Sequence, residues 1–188
     1  MAKQFEEQKF NIPALKGISE KTIEEHLKLY AGYVKNANEL LGEKEYNRRF
    51  PFEFNGMRNH EIYFAHFCAI GASASGGEGS FTHELTTGSP LLQAGFDLEK
   101  FKAIALTRGV GWAIVYYDSI SKQLLHGWVD EQHLGQLSNC TPILALDMWE
   151  HSYVADYQPS GKKQYVEDFF ANLNWENVEK NFENAVQK

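Results

Sequence analysis

The sequence predicts an α+β protein: an N-terminal α-helical hairpin followed by a C-terminal domain in which a short antiparallel sheet of about three strands is flanked by helices. Three observations carry that expectation. Apolar residues recur at spacings of three and four between residues 19 and 41, two β-rich runs joined by a polar segment lie at residues 111–117 and 123–129, and an aperiodic small-residue stretch at residues 71–80 separates the two patterns. The junction expected there divides the chain into a helical hairpin domain, residues 1–77, and an α/β domain, residues 78–188.

The first helix starts at Ser19, whose hydroxyl suits an N-cap, and Ile23, Leu27, Tyr30, Val34, Ala37 and Leu41 form one stripe along it. A turn-rich stretch, residues 42–56 with Pro51, then leads to a second helix carrying Met57, His60, Tyr63, Phe64 and Phe67. Two antiparallel helices joined in this way can hold an ion between facing side chains. Beyond the junction, residues 90–107 read as a helix. A third apolar run, residues 142–146, ends at Asp147, and helices fill the remainder.

A chain of 188 residues is long enough to bury one good core or two small ones. Its 43% hydrophobic and 14% aromatic content excludes general disorder, and no apolar stretch approaches the roughly 20 residues of a membrane helix. The charged N-terminus has no apolar signal core, which leads us to expect a cytoplasmic protein. Cys68 and Cys140 stand far apart, outside any C-x-x-C spacing, which argues against zinc-finger and thioredoxin chemistry and for a packing role. A formal charge of −7 argues against a nucleic-acid partner, and solvated turns explain the basic pairs Arg48-Arg49 and Lys162-Lys163.

The most informative run is Asp147-Met148-Trp149-Glu150-His151-Ser152-Tyr153. A carboxylate and an imidazole four positions apart, with no thiolate nearby, form a ligand pair suited to iron or manganese; taken alone, the same spacing also fits a capped helix start with an incidental histidine. With Asp156-Tyr157, Tyr165, Phe169 and Asn174-Trp175, the run resembles the C-terminal signature of the iron/manganese superoxide dismutases. Asn59-His60 followed by Tyr63 and Phe64, the segment from Lys21 to His26 with Tyr33-Val34 beyond it, and Gly109-Val110-Gly111-Trp112 match further landmarks in family order, so the resemblance covers nearly the whole chain.

That resemblance implies one iron or manganese ion per chain held by His26, His60, Asp147 and His151, and a reaction converting superoxide to oxygen and hydrogen peroxide. It also implies a tyrosine at the channel mouth. Here Tyr33 follows His26 by seven positions where most relatives use eight, so we expect a helix that has lost a π-bulge yet keeps the tyrosine in place. The residue expected to bond metal-bound solvent is absent four positions before His60, where Gly56 stands; the loop offers His133, which we prefer, and Gln132 as the alternative. Histidine at that loop position occurs in some iron-using relatives, which tilts the expected metal toward iron. Trp112, Trp149 and Tyr63 correspond to the family's aromatic shell.

The family usually dimerises through the Glu of its W-E-H motif, so a homodimer through Glu150 and His151 is expected, while a second bridge is altered because Tyr30 and Val154 occupy its positions. Lys28 and Arg58 are candidates to steer the anionic substrate, and His66, His83 and His126 are expected to be surface or packing residues. The altered bridge and Gly56 leave a noncatalytic metal-binding scaffold on the same fold as the alternative, with a metal hydrolase or oxygenase behind it.

Overall fold

The computed structural model describes residues 3–41, 48–70, 82 and 84–187. Two expectations fall elsewhere: the junction within residues 71–80 and His83 both lie outside the described residues.

Helix α1, Glu20–Leu41, begins as expected, with the Ser19 hydroxyl accepting from the Thr22 backbone N–H at 3.2 Å. It buries Ile23, His26, Tyr30, Tyr33, Val34 and Ala37 along one face. Helix α2, Arg49–Ala65, starts earlier than the turn-rich reading placed it. Pro51 falls within its first turn, where the missing N–H costs nothing, so a proline taken as a breaker is a helix starter. The second half of α2 lies against the sheet.

The expected helix at residues 90–107 is two helices, α3 (Pro90–Gln93) and α4 (Leu98–Ala105). They part at Gly95, whose φ of +93° a residue with a Cβ rarely adopts. Asp97 then caps α4 by accepting from the Lys100 N–H at 2.9 Å.

The three strands, β1 (Gly111–Asp118), β2 (Gln123–Asp130) and β3 (Cys140–Asp147), form one antiparallel sheet in the order β2-β1-β3. The central strand β1 is buried over nearly its whole length, which is why Ala113, Ile114 and Val115 follow one another without polar alternation. Its register pairs Trp112 with Asp147, which carries the indole to the end of the strand that delivers the carboxylate. After β3 come a 3-10 turn at Glu150–Ser152 and helices α5 (Val154–Tyr157), α6 (Lys162–Asn172) and α7 (Trp175–Val186).

The apolar core is continuous from α1 and α2 through the sheet to α6 and α7, with Tyr63, Phe64, Phe67, Trp112, Phe169 and Leu173 inaccessible to solvent. The N-terminal segment crosses the outside of this core as a strap. Lys16 N donates to Asn172 Oδ1, and Asn172 Nδ2 returns a bond to Lys16 O, both at 2.8 Å. At its other end, Asn38 makes the same kind of reciprocal pair with the backbone of Phe5.

Candidate metal centre

Four elements deliver one side chain each to a single point. His26 comes from the buried face of α1, His60 from α2, Asp147 from the last residue of β3, and His151 from the 3-10 turn that follows. Their ligand atoms all lie within 4.8 Å of one another. Asp147 is fully buried and doubly fixed. Its Oδ1 accepts from the Trp149 N–H at 2.8 Å, and its backbone carbonyl accepts from the Tyr165 and Ser152 hydroxyls at 3.0 Å. Its Oδ2 is thereby left facing the imidazoles, with the Nε2 atoms of His26, His60 and His151 at 3.1, 3.5 and 3.1 Å.

The protonation of His60 decides what this cluster can hold. Its Nδ1 lies 2.6 Å from the Gly56 carbonyl, which can only accept, so Nδ1 carries the proton. Burial, reinforced by neighbouring His26, pushes the His60 pKa down to about 3, so Nε2 is a bare lone pair. That lone pair is aimed at the Asp147 carboxylate with no hydrogen-bond partner of its own. Two acceptors facing each other in a dry interior repel, and a cation between them turns the repulsion into attraction. His26 is likewise held neutral, chiefly by burial. Burial also pushes the Asp147 carboxyl up, but the His151 and His26 imidazoles outweigh it and hold the group well below the usual carboxylate range. Imidazole nitrogens and a carboxylate oxygen are ligand types that suit a borderline-hard redox metal.

The aromatic residues expected around the cluster are there. Trp112 lies edge-on to His60 at 5.0 Å, Tyr63 is 5.2 Å from the His26 ring, and Trp149 stacks on His151 at 5.9 Å. Tyr33 reaches the same region from an uninterrupted α1, its ring 5.1 Å from that of His60. A Cβ on Gly56 would stand 2.6 Å from the Tyr33 ring, so the missing side chain at that position is the space the tyrosine occupies.

The loop residues Gln132 and His133 separate. Gln132 is fully buried, its Oε1 accepting from Trp112 Nε1 at 2.7 Å and its Nε2 donating to the Tyr33 hydroxyl at 2.9 Å. His133 points the other way, edge-on to Phe52, and lines an outer cleft with Arg48 and Arg49. Arg58 donates to Glu61 at 2.6 Å and lies over Phe5 and Phe54, so its charge is already matched; Lys28 is exposed on α1. Tyr30 is turned inward, its hydroxyl donating to Glu61 and accepting from the Gln8 N–H. His66 is completely buried and His126 half-buried, both as packing residues.

The cluster agrees with comparisons to known proteins. Residues 95–181 match the sequence model of the C-terminal domain of iron/manganese superoxide dismutases. An iron superoxide dismutase of Aquifex aeolicus is 30% identical, the match covering 92% of this chain and 88% of that one. The chain belongs to the iron/manganese superoxide dismutase family. Another member, the manganese/iron superoxide dismutase of Aeropyrum pernix, is 29% identical over 86% of this chain and 80% of its own. A third, manganese superoxide dismutase 2 of Haloferax volcanii, is 43% identical over 47% of this chain and 43% of its own. The named relatives thus include iron, manganese and mixed-metal enzymes, and within this family the signals missed in the sequence were Gly56 as the seat of Tyr33 and the burial of Gln132 rather than His133.

Proposed function

We propose that His26, His60, Asp147 and His151 hold one iron or manganese ion and that the protein dismutates superoxide there, two superoxide anions and two protons giving oxygen and hydrogen peroxide. The observation that carries this reading is the bare Nε2 of His60 facing the Asp147 carboxylate, both groups fully buried. When bound, the ion supplies the electron exchange, cycling between adjacent oxidation states as successive superoxide anions are oxidised and reduced.

The protein's own part is to exclude bulk water and to manage protons. Trp112, Tyr63 and Trp149 wall the cluster, which strengthens polar interactions inside it. Gln132 bonds the solvent beside the ion in this reading, in place of the preferred His133. Trp112 Nε1 can only donate, so it fixes the Gln132 carbonyl oxygen toward itself and leaves two amide hydrogens on the other side. One of them is given to the Tyr33 oxygen, so the tyrosine's own proton is directed elsewhere. Burial, with the Asp147 and Glu53 charges behind it, raises the Tyr33 pKa above its ordinary value of 10.0, and the phenol stays a donor throughout the neutral range. Activity is therefore expected to be flat near neutrality, and its loss at high pH should be displaced or abolished in Tyr33→Phe.

The iron preference rested on His133. With Gln132 in that place, the reading is iron or manganese without preference, and each metal is loaded separately to test it. Dismutation by neither form at full occupancy would bring forward the noncatalytic scaffold. Substrate-dependent oxygen consumption would bring forward an oxygenase.

A homodimer through Glu150 and His151 belongs to the same reading. A cavity of about 530 Å3 opens beside His26 and His151, bordered by Glu25, Leu29, Glu150, Val154 and Ala155, and gives a second copy somewhere to sit. With Tyr30 engaged inside its own chain, Glu150 is the principal bridge, and Glu150→Ala should give monomers by sedimentation. Unpaired Cys68 and Cys140 fit a reducing, cytoplasmic setting, and no helix among the described residues is long and apolar enough to cross a membrane.

A further inference from the structure

Gln132 owes its place to a chain of side-chain amides that begins well away from the metal cluster. The Tyr116 hydroxyl, 1% exposed on central strand β1, donates to Gln136 Oε1 at 2.5 Å while the Leu137 backbone N–H bonds to the same hydroxyl. The Gln132 carbonyl can only accept, so Asn59 presents Nδ2 to it and Oδ1 to Gln136, whose Oε1 is then left to receive the Tyr116 proton. That fixes which end of the Gln136 amide is which. Gln136 Nε2 therefore faces inward, donating to Asn59 Oδ1 at 3.3 Å and approaching the Gln132 carbonyl at 3.5 Å. Asn59 donates through Nδ2 to the same Gln132 carbonyl at 3.2 Å.

The Gln132 backbone is thus held by Asn59 and Gln136, and its side chain by Trp112 and Tyr33. The supporting backbone turn is tight: Asp130 and Leu134 exchange two backbone bonds around it, and Glu131 sits at a φ of +52°. A turn of this kind has few ways to lean, and the two amides from outside it select one.

We infer that Gln136, anchored to Tyr116, is a positioning residue that sets the height and tilt of the Gln132 amide over Tyr33 and the four-residue cluster. Gln136 touches neither the ligand atoms nor the Tyr33 hydroxyl; it acts through Asn59 and the Gln132 carbonyl. Asn59 also directly precedes His60, so the same chain ties the loop to the helix that supplies that histidine. The inference rests on Gln132 as the solvent-bonding residue.

The test uses the metal-loaded enzyme. Gln136→Leu removes both links at nearly constant volume, and Tyr116→Phe removes the outer hold on the Gln136 amide together with the acceptor of the Leu137 N–H. The readouts are metal content, the midpoint reduction potential, the pH profile of kcat and the thermal midpoint. Gln136→Leu is expected to retain its metal, shift the potential and the alkaline pH limit in the same direction as Gln132→Ala but by less, and lower kcat about tenfold. Tyr116→Phe should shift both in the same direction again. In a Gln132→Ala background, Gln136→Leu should leave potential and pH profile unmoved, because the residue it acts through is gone. A Gln136→Leu enzyme with lowered thermal midpoint but wild-type potential and pH profile overturns the positioning role. If Gln132→Ala itself moves neither readout, the assignment of Gln132 fails instead.

Discussion

Helix α2 buries two histidines, His60 in its interior and His66 at its C-terminal end, and sends them to opposite fates. Both are wholly inaccessible, and burial pushes both down to about 3, His26 adding to the effect at His60. His66 spends Nε2 accepting the Ala145 backbone N–H of β3 at 3.2 Å, joining helix to sheet. His60 spends Nδ1 on the Gly56 carbonyl of its own helix and keeps Nε2 bare, facing a carboxylate and two other imidazoles. Depth and a depressed pKa are therefore common to a packing histidine and to one of the proposed metal site; what separates them is whether the ring lone pair is spent on a backbone N–H or left bare toward a carboxylate.

The most severe break in this comparison is His60→Gln. It removes the bare nitrogen, and we expect metal content and dismutation to fall together by more than the roughly 10- to 100-fold typical of supporting residues, read by metal analysis and superoxide decay. His66→Gln is expected to keep both metal and activity while losing about 1–3 kcal/mol of stability to a poorly matched buried N–H, read by denaturant unfolding. If His66→Gln emptied the site, the division between the two histidines would be wrong.

Gly56→Ala touches the His60 side more gently. The helix gains about 1 kcal/mol from alanine, but the new Cβ would stand 2.6 Å from the Tyr33 ring, and overpacking costs about 1–3 kcal/mol. The expected result is slightly reduced stability with an altered alkaline limit, because the displaced ring draws the Tyr33 hydroxyl away from Gln132.

The comparison is sharpened further in acid. Folded His66 stays neutral to about pH 3, whereas its unfolded counterpart takes up a proton below about 6.5, so the unfolded chain binds more protons between those values. Stability accordingly falls as pH drops through that window, by at most about 1.4 kcal/mol per pH unit for this one group. His66→Gln lacks that contribution, so its stability deficit relative to the parent should close or reverse from pH 7 to pH 4 when both are unfolded side by side.

Periodicity and turn chemistry made the α1 stripe, the three strands and the Ser19 cap legible in the sequence, because each is dictated by residues close together in the chain. Two boundaries were misread locally: Pro51 opens a helix from its first turn, and Gly95 divides one expected helix into two. The four residues of the cluster were picked out through their resemblance to a family, since nothing in the spacing of His26, His60 and Asp147 says they meet. Gln132 and His133 are adjacent polar loop residues, and only the direction of each side chain distinguishes them. Gln136 was overlooked for the same reason, its partners lying on β1 and α2.

The reciprocal bond between Lys16 and Asn172 joins residues 156 positions apart. On the ribosome that clasp cannot close until α6 has emerged, and at about 5–20 residues per second Asp147 follows His60 out of the tunnel by several seconds. During that interval only two of the four cluster residues, His26 and His60, have emerged, and the carboxylate that faces them has not. On the proposed site, metal would be taken up only once synthesis nears its end, and a chain halted before Asp147 should emerge from gel filtration free of iron and manganese.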